Sequence, residues 1–455
     1  MQKKLLTMAV AGALAAPCIA LAQGSAAPGS AVEVYGTINM AAGQFKYSDT
    51  VLANGTSVPS ISKWDVAQGA SNYGLRGRES LGGGLTAWFQ IEQNAPMERS
   101  DNIAITPASR NSAVGLQGGF GNIFLGQWTT PWADLDALWS VGTVGFWGPV
   151  TSIIGRRETT GTTPNPNCVN GHLSGAPGAA GVICDAIEAG GGVGHPFWRR
   201  ASQAVVYQSP VFSGFQFKFL WQTNESKSVA LTTAGGVTNT TVVDPSLYSG
   251  SIQWAGMGGR LRVGAAYDRH KEFTTQGKND TGWTVKGGFN FGVVDVGLAY
   301  EENKYGVATG DCKFKQYGVA LAVPIGQGAI RASYSVAKDV EGPQQPAIIP
   351  AGTPVVGTPG APAFGSTYCA GPVVVSTNAA NGLSPADNGA KQYNIGYDHR
   401  FSKRTTVGVG YAVIKNDPGA VFTWTGAPPV QDGANNTPFN GSDPSTVFVS
   451  ITHRF

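Results

Sequence analysis

The chain has 455 residues, among them 64 Gly, 20 Phe, 14 Tyr and 11 Trp, while only 13% of the residues are charged. Its 31 Lys and Arg against 28 Asp and Glu give a formal net charge of +3, and taking away Lys3 and Lys4 of the N-terminal segment leaves 29 against 28. So balanced a chain excludes a nucleic-acid binder, which carries a marked basic excess.

Lys3 and Lys4 precede an apolar run from Leu5 to Leu21, and Ala20-Leu21-Ala22 has the small-x-small form of a cleavage site. Residues 1–22 therefore read as a secretory signal, with the mature chain at 23–455. A membrane anchor is the rival reading, but the run is short, alanine-rich and ends at a processing site. Further along, no other charge-free stretch is long enough for a spanning helix, and no composition break or linker divides the remainder.

Segments of about ten residues with period-two alternation, the length of a tilted membrane strand, recur along the chain. They fall near 32–42, 71–80, 84–93, 110–117, 122–128, 201–209, 214–223, 246–255, 259–268, 282–291, 293–302, 314–323, 328–337, 391–400, 404–414 and 445–455. The connections alternate in length. LGGG (81–84), GGFGN (118–122), SPVFSG (209–214), GMGG (256–259) and PIGQG (324–328) are turn-sized, whereas 43–70, 94–109, 129–200, 224–245, 269–281, 303–313, 338–390 and 415–444 are long. The long ones are rich in Gly, Pro, Asn, Thr and Ser.

Sixteen alternating strands with short and long connections in turn predict an all-β fold, a 16-stranded antiparallel transmembrane β-barrel with turns in the periplasm and loops outside. Leu85, Ala87, Phe89 and Ile91, then Phe215, Phe217, Phe219 and Trp221, then Val407, Val409, Tyr411 and Val413 share the apolar parity. The other parity is small or polar, as in Thr86, Gln90 and Glu92 or Gln216, Lys218 and Gln222, which implies a wet lumen. A soluble sandwich or propeller also has short strands, but buries its apolar parity in a core. The last strand, STVFVSITHRF, runs to Phe455, and such a fully patterned terminus is expected to pair on both sides, as barrel closure provides.

VYGTINMAAG (34–43), ESLGGGLTAWFQIEQN (79–94), RNSAVGLQGGFGNIFLGQW (110–128), AVVYQSPVFSGFQF (204–217) and the terminal HRF (453–455) together resemble, in the same order, the general porins of betaproteobacteria. The resemblance implies a homotrimer in the lipid and lipopolysaccharide of the outer membrane. It also implies passive diffusion of small hydrophilic solutes and inorganic ions, no cofactor, and a third loop (129–200) folded inward as a constriction. Phe455 would then be the signal read by the barrel-assembly machinery.

Charge on the constriction would select solutes as well as size. The third loop offers Asp134, Asp136, Glu158, Asp185 and Glu188 against Arg156, Arg157, Arg199 and Arg200. Inward parity on strands gives Arg76, Arg78, Lys218, Arg260, Arg262, Lys286 and Arg331 against Glu92, Asp268, Asp295, Glu301 and Asp398. The basic excess predicts a mild anion preference. Arg110 matches a wall arginine of the resembling porins, and Arg199 or Arg200 another, although simple parity puts Arg110 with Val114 and Leu116. Asn72 and Gln127 stand where those relatives often carry arginine, which weakens the anion expectation.

Cys18 leaves with the signal; Cys168, Cys184, Cys312 and Cys369 remain, and proximity favours disulfides Cys168–Cys184 and Cys312–Cys369 among three possible pairings. A zinc site lacks CxxC spacing. The five histidines, His172, His195, His270, His399 and His453, are scattered, so a barrel enzyme is disfavoured. A plugged transporter would need an added N-terminal domain. The remaining alternative is a barrel closed by its long loops, with a substrate-specific, adhesive or structural role.

Overall fold

The structure is a computed structural model. It describes residues 31–51, 57–97, 107–145, 147–148, 153–154, 168–169, 172–173, 197–224, 227–234, 237–273, 277–307, 310–339, 341–342, 345–347, 372–374, 389–418, 420, 422–424, 439 and 441–455. Residues 1–22, expected as a signal, lie outside them, as do Glu158, Cys184, Cys369 and the side chains of Cys168 and Cys312.

Sixteen strands close into one antiparallel barrel. The first half comprises β1 (Ala31–Tyr47), β2 (Ile61–Gln68 continued by Asn72–Gly82), β3 (Leu85–Asn94), β4 (Ser112–Gly118), β5 (Gly121–Thr129), β6 (Arg200–Gln208), β7 (Phe215–Gln222) and β8 (Ser246–Gly256). The second comprises β9 (Leu261–Lys271), β10 (Asn279–Asn290), β11 (Asp295–Val307), β12 (Gly310–Ile325), β13 (Gly328–Ala337), β14 (Ala390–Arg400), β15 (Thr405–Asn416) and β16 (Pro444–Arg454). Each strand pairs with its sequence neighbours, and β1 pairs with β16 from Thr37↔Arg454 to Tyr47↔Pro444. The ladder reaches the last residue: the Phe455 N–H donates to the Gly36 carbonyl (3.1 Å) and the Gly36 N–H to the Phe455 carbonyl (3.2 Å). No edge is left, so the final strand does not fray.

β2 breaks at residues 69–71, and Ser71 bridges the gap. Its Oγ accepts from the Asn39 N–H (2.9 Å) and donates to the Asn39 carbonyl (3.0 Å), replacing ladder bonds that the break would leave unmade. The β2–β3 turn is legible in sequence because Gly82, Gly83 and Gly84 all adopt positive φ (84°, 58° and 78°), a region costly to any residue with a Cβ.

The apolar parity faces outward. Phe217, Phe219, Trp221, Val447, Val449 and Ile451 are exposed, while Gln216, Gln222, Thr446 and Ser450 are buried on the inner face. That inside-out arrangement removes the soluble sandwich reading, since a soluble core would bury the first group.

Strand ends differ from the expectation. The segment expected as a loop at 43–70 contains the end of β1 and the start of β2, and that at 303–313 is almost wholly strand. Segment 224–245 holds a hairpin, Ser228–Ala234 with Val237–Val243. At the external ends the alternation persists with its polarity reversed. Phe45, Tyr47, Tyr305 and Phe314 point inward and are buried, while Lys46 and Lys313 point out and are exposed. Outward positions there meet headgroups and water, and inward ones pack beneath loops, so a search for outward apolar residues truncates these strands.

Candidate functional site

The third loop enters the lumen directly after β5. It begins with a short helix, α1 (Pro131–Asp134), continued as a 3-10 turn over Leu135–Leu138. Pro131 suits the first helical turn, where its missing N–H is not needed. Residue Thr130 ties the two ends of the loop: its N–H donates to the Arg199 carbonyl (2.9 Å) and its hydroxyl to the Phe197 carbonyl (3.3 Å).

From there the loop follows the inner wall, and inward side chains of successive strands hold it. Lys218 on β7 pairs with Asp134 (2.7 Å). Lys286 on β10 pairs with Asp136 (2.5 Å) and with Glu301 on β11 (2.6 Å), and neither Lys286 nor Glu301 has solvent exposure. Two indoles complete this knot, Trp132 donating to Glu301 (3.3 Å) and Trp139 to Asp136 (3.2 Å). A buried lysine with two carboxylates and further donors satisfies the condition under which buried charge is tolerated.

The irregular part of the loop presents backbone carbonyls, and the wall supplies donors for them. Arg262 on β9 donates to the Leu138 carbonyl (2.7 Å) and pairs with Asp295 (2.7 Å). Arg331 on β13 donates to the Val141 carbonyl and pairs with Asp398 (2.5 Å). Asn394 and Gln392 on β14 donate to the carbonyls of Trp147 (2.7 Å) and Gly148 (3.3 Å). Such capture lets non-regular backbone lie in the lumen without unsatisfied acceptors.

Contact is close enough to require glycine. A Cβ on Gly297 would stand 1.9 Å from the Trp139 carbonyl oxygen, and one on Gly142 would stand 2.2 Å from that of Ala332. Beyond Gly142 the loop reaches an apolar cluster, where Trp147 meets Phe45 (5.2 Å between ring centroids) and Phe448 (4.5 Å) and Ile153 and Ile154 are buried.

The wall across from the loop has its own charges. Arg76 pairs with Glu33 (2.8 Å) toward the periplasmic end, its side chain 38% exposed, and stacks on Tyr35. Arg78 lies exposed two residues further toward the turn. Arg110 precedes β4, so strand parity does not govern it; its guanidinium reaches Glu92 (2.5 Å) and Asn94 (3.2 Å), and Tyr35 donates to Glu92 (3.0 Å). The Gln127 side chain donates to the Ser109 carbonyl (3.1 Å) behind Arg110, and Asn72 to the Ala70 carbonyl (3.0 Å). Arg200 donates to Asn111 (3.1 Å), whereas Arg199 is buried over the Phe273 ring at the root of the loop.

Thus Asp134, Asp136 and Lys218 gather where the loop meets the wall, Arg200 stands at the root of the loop beside Asn111, Arg110 lies against Glu92 of β3, and Arg76 and Arg78 stand toward the periplasmic mouth. Sequence reading missed Trp132, Trp139, Trp147, Phe45 and Phe448. The one signal for the three tryptophans was their recurrence at 132, 139 and 147 in a segment read as loop; Phe45 and Phe448 had none.

A closed barrel of sixteen strands, apolar outside and polar inside with a loop pinned along its inner wall, is a transmembrane pore-type barrel. The Gram-negative porin family matches residues 7–419, and the chain belongs to that family; its place is the outer membrane. The chain is 33% identical over 127 residues to the major outer membrane protein P.IB of Neisseria gonorrhoeae, a match covering 27% of this chain and 34% of that protein. With the P.IB protein of Neisseria sicca it shares 30% identity over 151 residues, 31% of this chain and 38% of the relative. The matched part is thus little more than a third of these curated relatives. In fold, the chain is similar to an anion-selective porin from Comamonas acidovorans (TM-score 0.60, 21% identity, 94% of this chain and 100% of that one). It is also similar to OmpT of Vibrio cholerae in its trimer form (TM-score 0.51, 13% identity, 94% and 99%).

Proposed function

We propose that the protein is a passive diffusion channel for small hydrophilic solutes and inorganic ions, with the third loop as its filter. One observation carries this reading: the loop lies along the wall of a polar lumen, held by wall side chains from β7 to β14 and packed at its far end on Phe448 of β16 and Phe45 of β1. A loop held to the wall narrows a pore while leaving the opposite arc to face the passing solute. Mild anion preference follows from that arc, where Arg76, Arg78, Arg110 and Arg200 stand against Glu33 and Glu92. The Comamonas acidovorans relative in fold is itself described as anion-selective.

The working unit is a homotrimer in this reading. Val34, Leu75, Val114, Leu125, Val449 and Ile451 on β1–β5 and β16 form an exposed aliphatic face suited to a second copy. Phe455, at the seam with its ring against Gly36, would serve as the assembly signal. Residues 1–22 would be removed on export, and Cys168, Cys184, Cys312 and Cys369 would form disulfides at the external side, Cys312 from that end of β12.

Single-channel conductance and reversal potential of the refolded protein in a planar bilayer under a KCl gradient test the proposal. Triplet conductance steps with an anion-favouring potential are expected. A silent but correctly folded barrel would overturn it and favour a loop-closed barrel with a specific ligand or adhesive role.

A further inference from the structure

The loop between β15 and β16, the eighth of the external loops, turns into the mouth of the barrel. Asn416 at the end of β15 shapes its first turn: the side-chain amide donates to the carbonyls of Phe422 (3.0 Å) and Ser442 (2.8 Å), and its Oδ1 accepts from the Phe422 N–H (3.0 Å). One residue thus joins the outgoing limb of the loop to the returning one, and the Gly441 N–H adds a bond to the Ala420 carbonyl (2.9 Å). The returning limb is tied in turn to the end of β1. There the Ser442 hydroxyl donates to the Ser48 carbonyl (2.8 Å) and the Asp443 N–H to the Ser48 hydroxyl (3.0 Å). Such bonding fixes the course of an irregular segment.

Ala420, Phe422 and Trp424 lie on that course, and all three are buried. They belong to the same apolar cluster as Trp147, Ile153 and Ile154 of the third loop and as Phe45, Tyr47 and Phe448 of the wall. Within it the Tyr47 hydroxyl hydrogen-bonds the Thr423 side chain. Nearer its start the third loop is held by ion pairs and captured carbonyls, but the side chains of Ile153 and Ile154 have no polar atom, and only burial can hold them. In a water-filled barrel apolar side chains stay buried only under a cover. The wall stands on one side of them, and the eighth loop supplies the other.

We infer that the eighth loop is the catch of the filter. Phe422 and Trp424, aligned by Asn416, are positioning residues: they hold the far end of the third loop against β16 and β1 and so keep the passage open. This rests on the pore reading above, and adds that the open state depends on a second loop, one rooted at the external side. Packing between two loops opens at lower cost than a strand ladder, so its release leaves the barrel intact. Once released, the end that carries Trp147, Ile153 and Ile154 leaves toward the lumen, because the wall stands behind it, and the passage is closed while it is out.

The test is single-channel recording of Phe422→Ala with Trp424→Ala in the full-length refolded protein. The closed fraction should rise at least about tenfold over the wild type, while heat-modifiable migration of the barrel stays unchanged. Keeping an aromatic ring, as in Trp424→Phe with Phe422 intact, should restore most of the open time. Trp147→Ala should raise the closed fraction as well, and adding it to the double variant should bring no further rise, because both release one contact. Wild-type gating in the double variant would overturn the inference, and so would a Trp147→Ala effect that simply adds to it. If the double variant does not fold, Asn416→Asp, which keeps the shape but loses the donors to Phe422 and Ser442, is read by the same two criteria. A folded wild type that never conducts sinks the pore reading itself, whereas a conducting wild type matched by its variants sinks the catch alone.

Discussion

Two arcs of one lumen wall carry the same kinds of charge and use them differently. From β7 to β14, Lys218, Arg262, Lys286 and Arg331 end on the third loop, on its carboxylates or its carbonyls, and Lys286 has no exposure. From β1 to β6, Arg76 and Arg110 end on wall carboxylates, and the outermost pair is 38% and 58% exposed. An inward charge is therefore an anchor or a field source according to what lies in front of it. Behind the loop, at Lys286, water is excluded and loss of a partner is costly; at the exposed Arg76–Glu33 pair water screens the interaction, whereas Arg110–Glu92, at 16% and 13% exposure, is sheltered by the wall itself.

The largest effect should come from cutting the knot behind the loop. Lys286→Met leaves Asp136 and Glu301 buried without their cation, which costs about 3–5 kcal/mol. Denaturant unfolding of the refolded barrel should show that loss, together with altered single-channel conductance. Adding Asp136→Asn and Glu301→Gln to Lys286→Met should recover most of the stability. If Lys286→Met alone is neutral in both measurements, the knot does not hold the loop.

Gly297→Val should act next most strongly, and chiefly on the loop. Its side chain would occupy the space of the Trp139 carbonyl, so the loop must leave the wall at that point. Conductance should change more than barrel stability, and tryptophan fluorescence should report a new environment. Unchanged conductance would mean that the described part of the loop does not set the narrowest passage.

Arg76→Glu with Arg78→Glu should have the smallest energetic effect, since exposed pairs contribute roughly 0–1 kcal/mol. Reversal potential is the sharper measurement here, and it should move toward cation preference. An unmoved potential would assign these two arginines to a solvated mouth and leave selectivity to Arg110 and Arg200.

Much of the barrel was legible because a membrane strand must alternate. The parity at Phe215–Trp221 predicted the outward face that the structure has, and the glycines of LGGG predicted a turn that only positive φ can make. Strand ends at Tyr47 and Val307 were not legible, because there the alternation continues with reversed polarity. The inward set of charges was readable from parity as well, but their pairing was not: Lys286 meets Asp136 across 150 positions of sequence. Arg110 shows the limit from the other side, since its placement depends on where β4 begins rather than on parity.

Sequence alone determined the class of this protein: period-two alternation sets which side chains meet lipid, and sixteen such segments with alternating connections specify closure. Tertiary structure decided which charges are buried anchors and which stand toward the lumen. That choice depends on the path of one loop round the wall from β7 to β16 and β1, and the path is set by contacts such as Trp139 on Gly297 and Trp147 on Phe45, between residues that no local pattern relates.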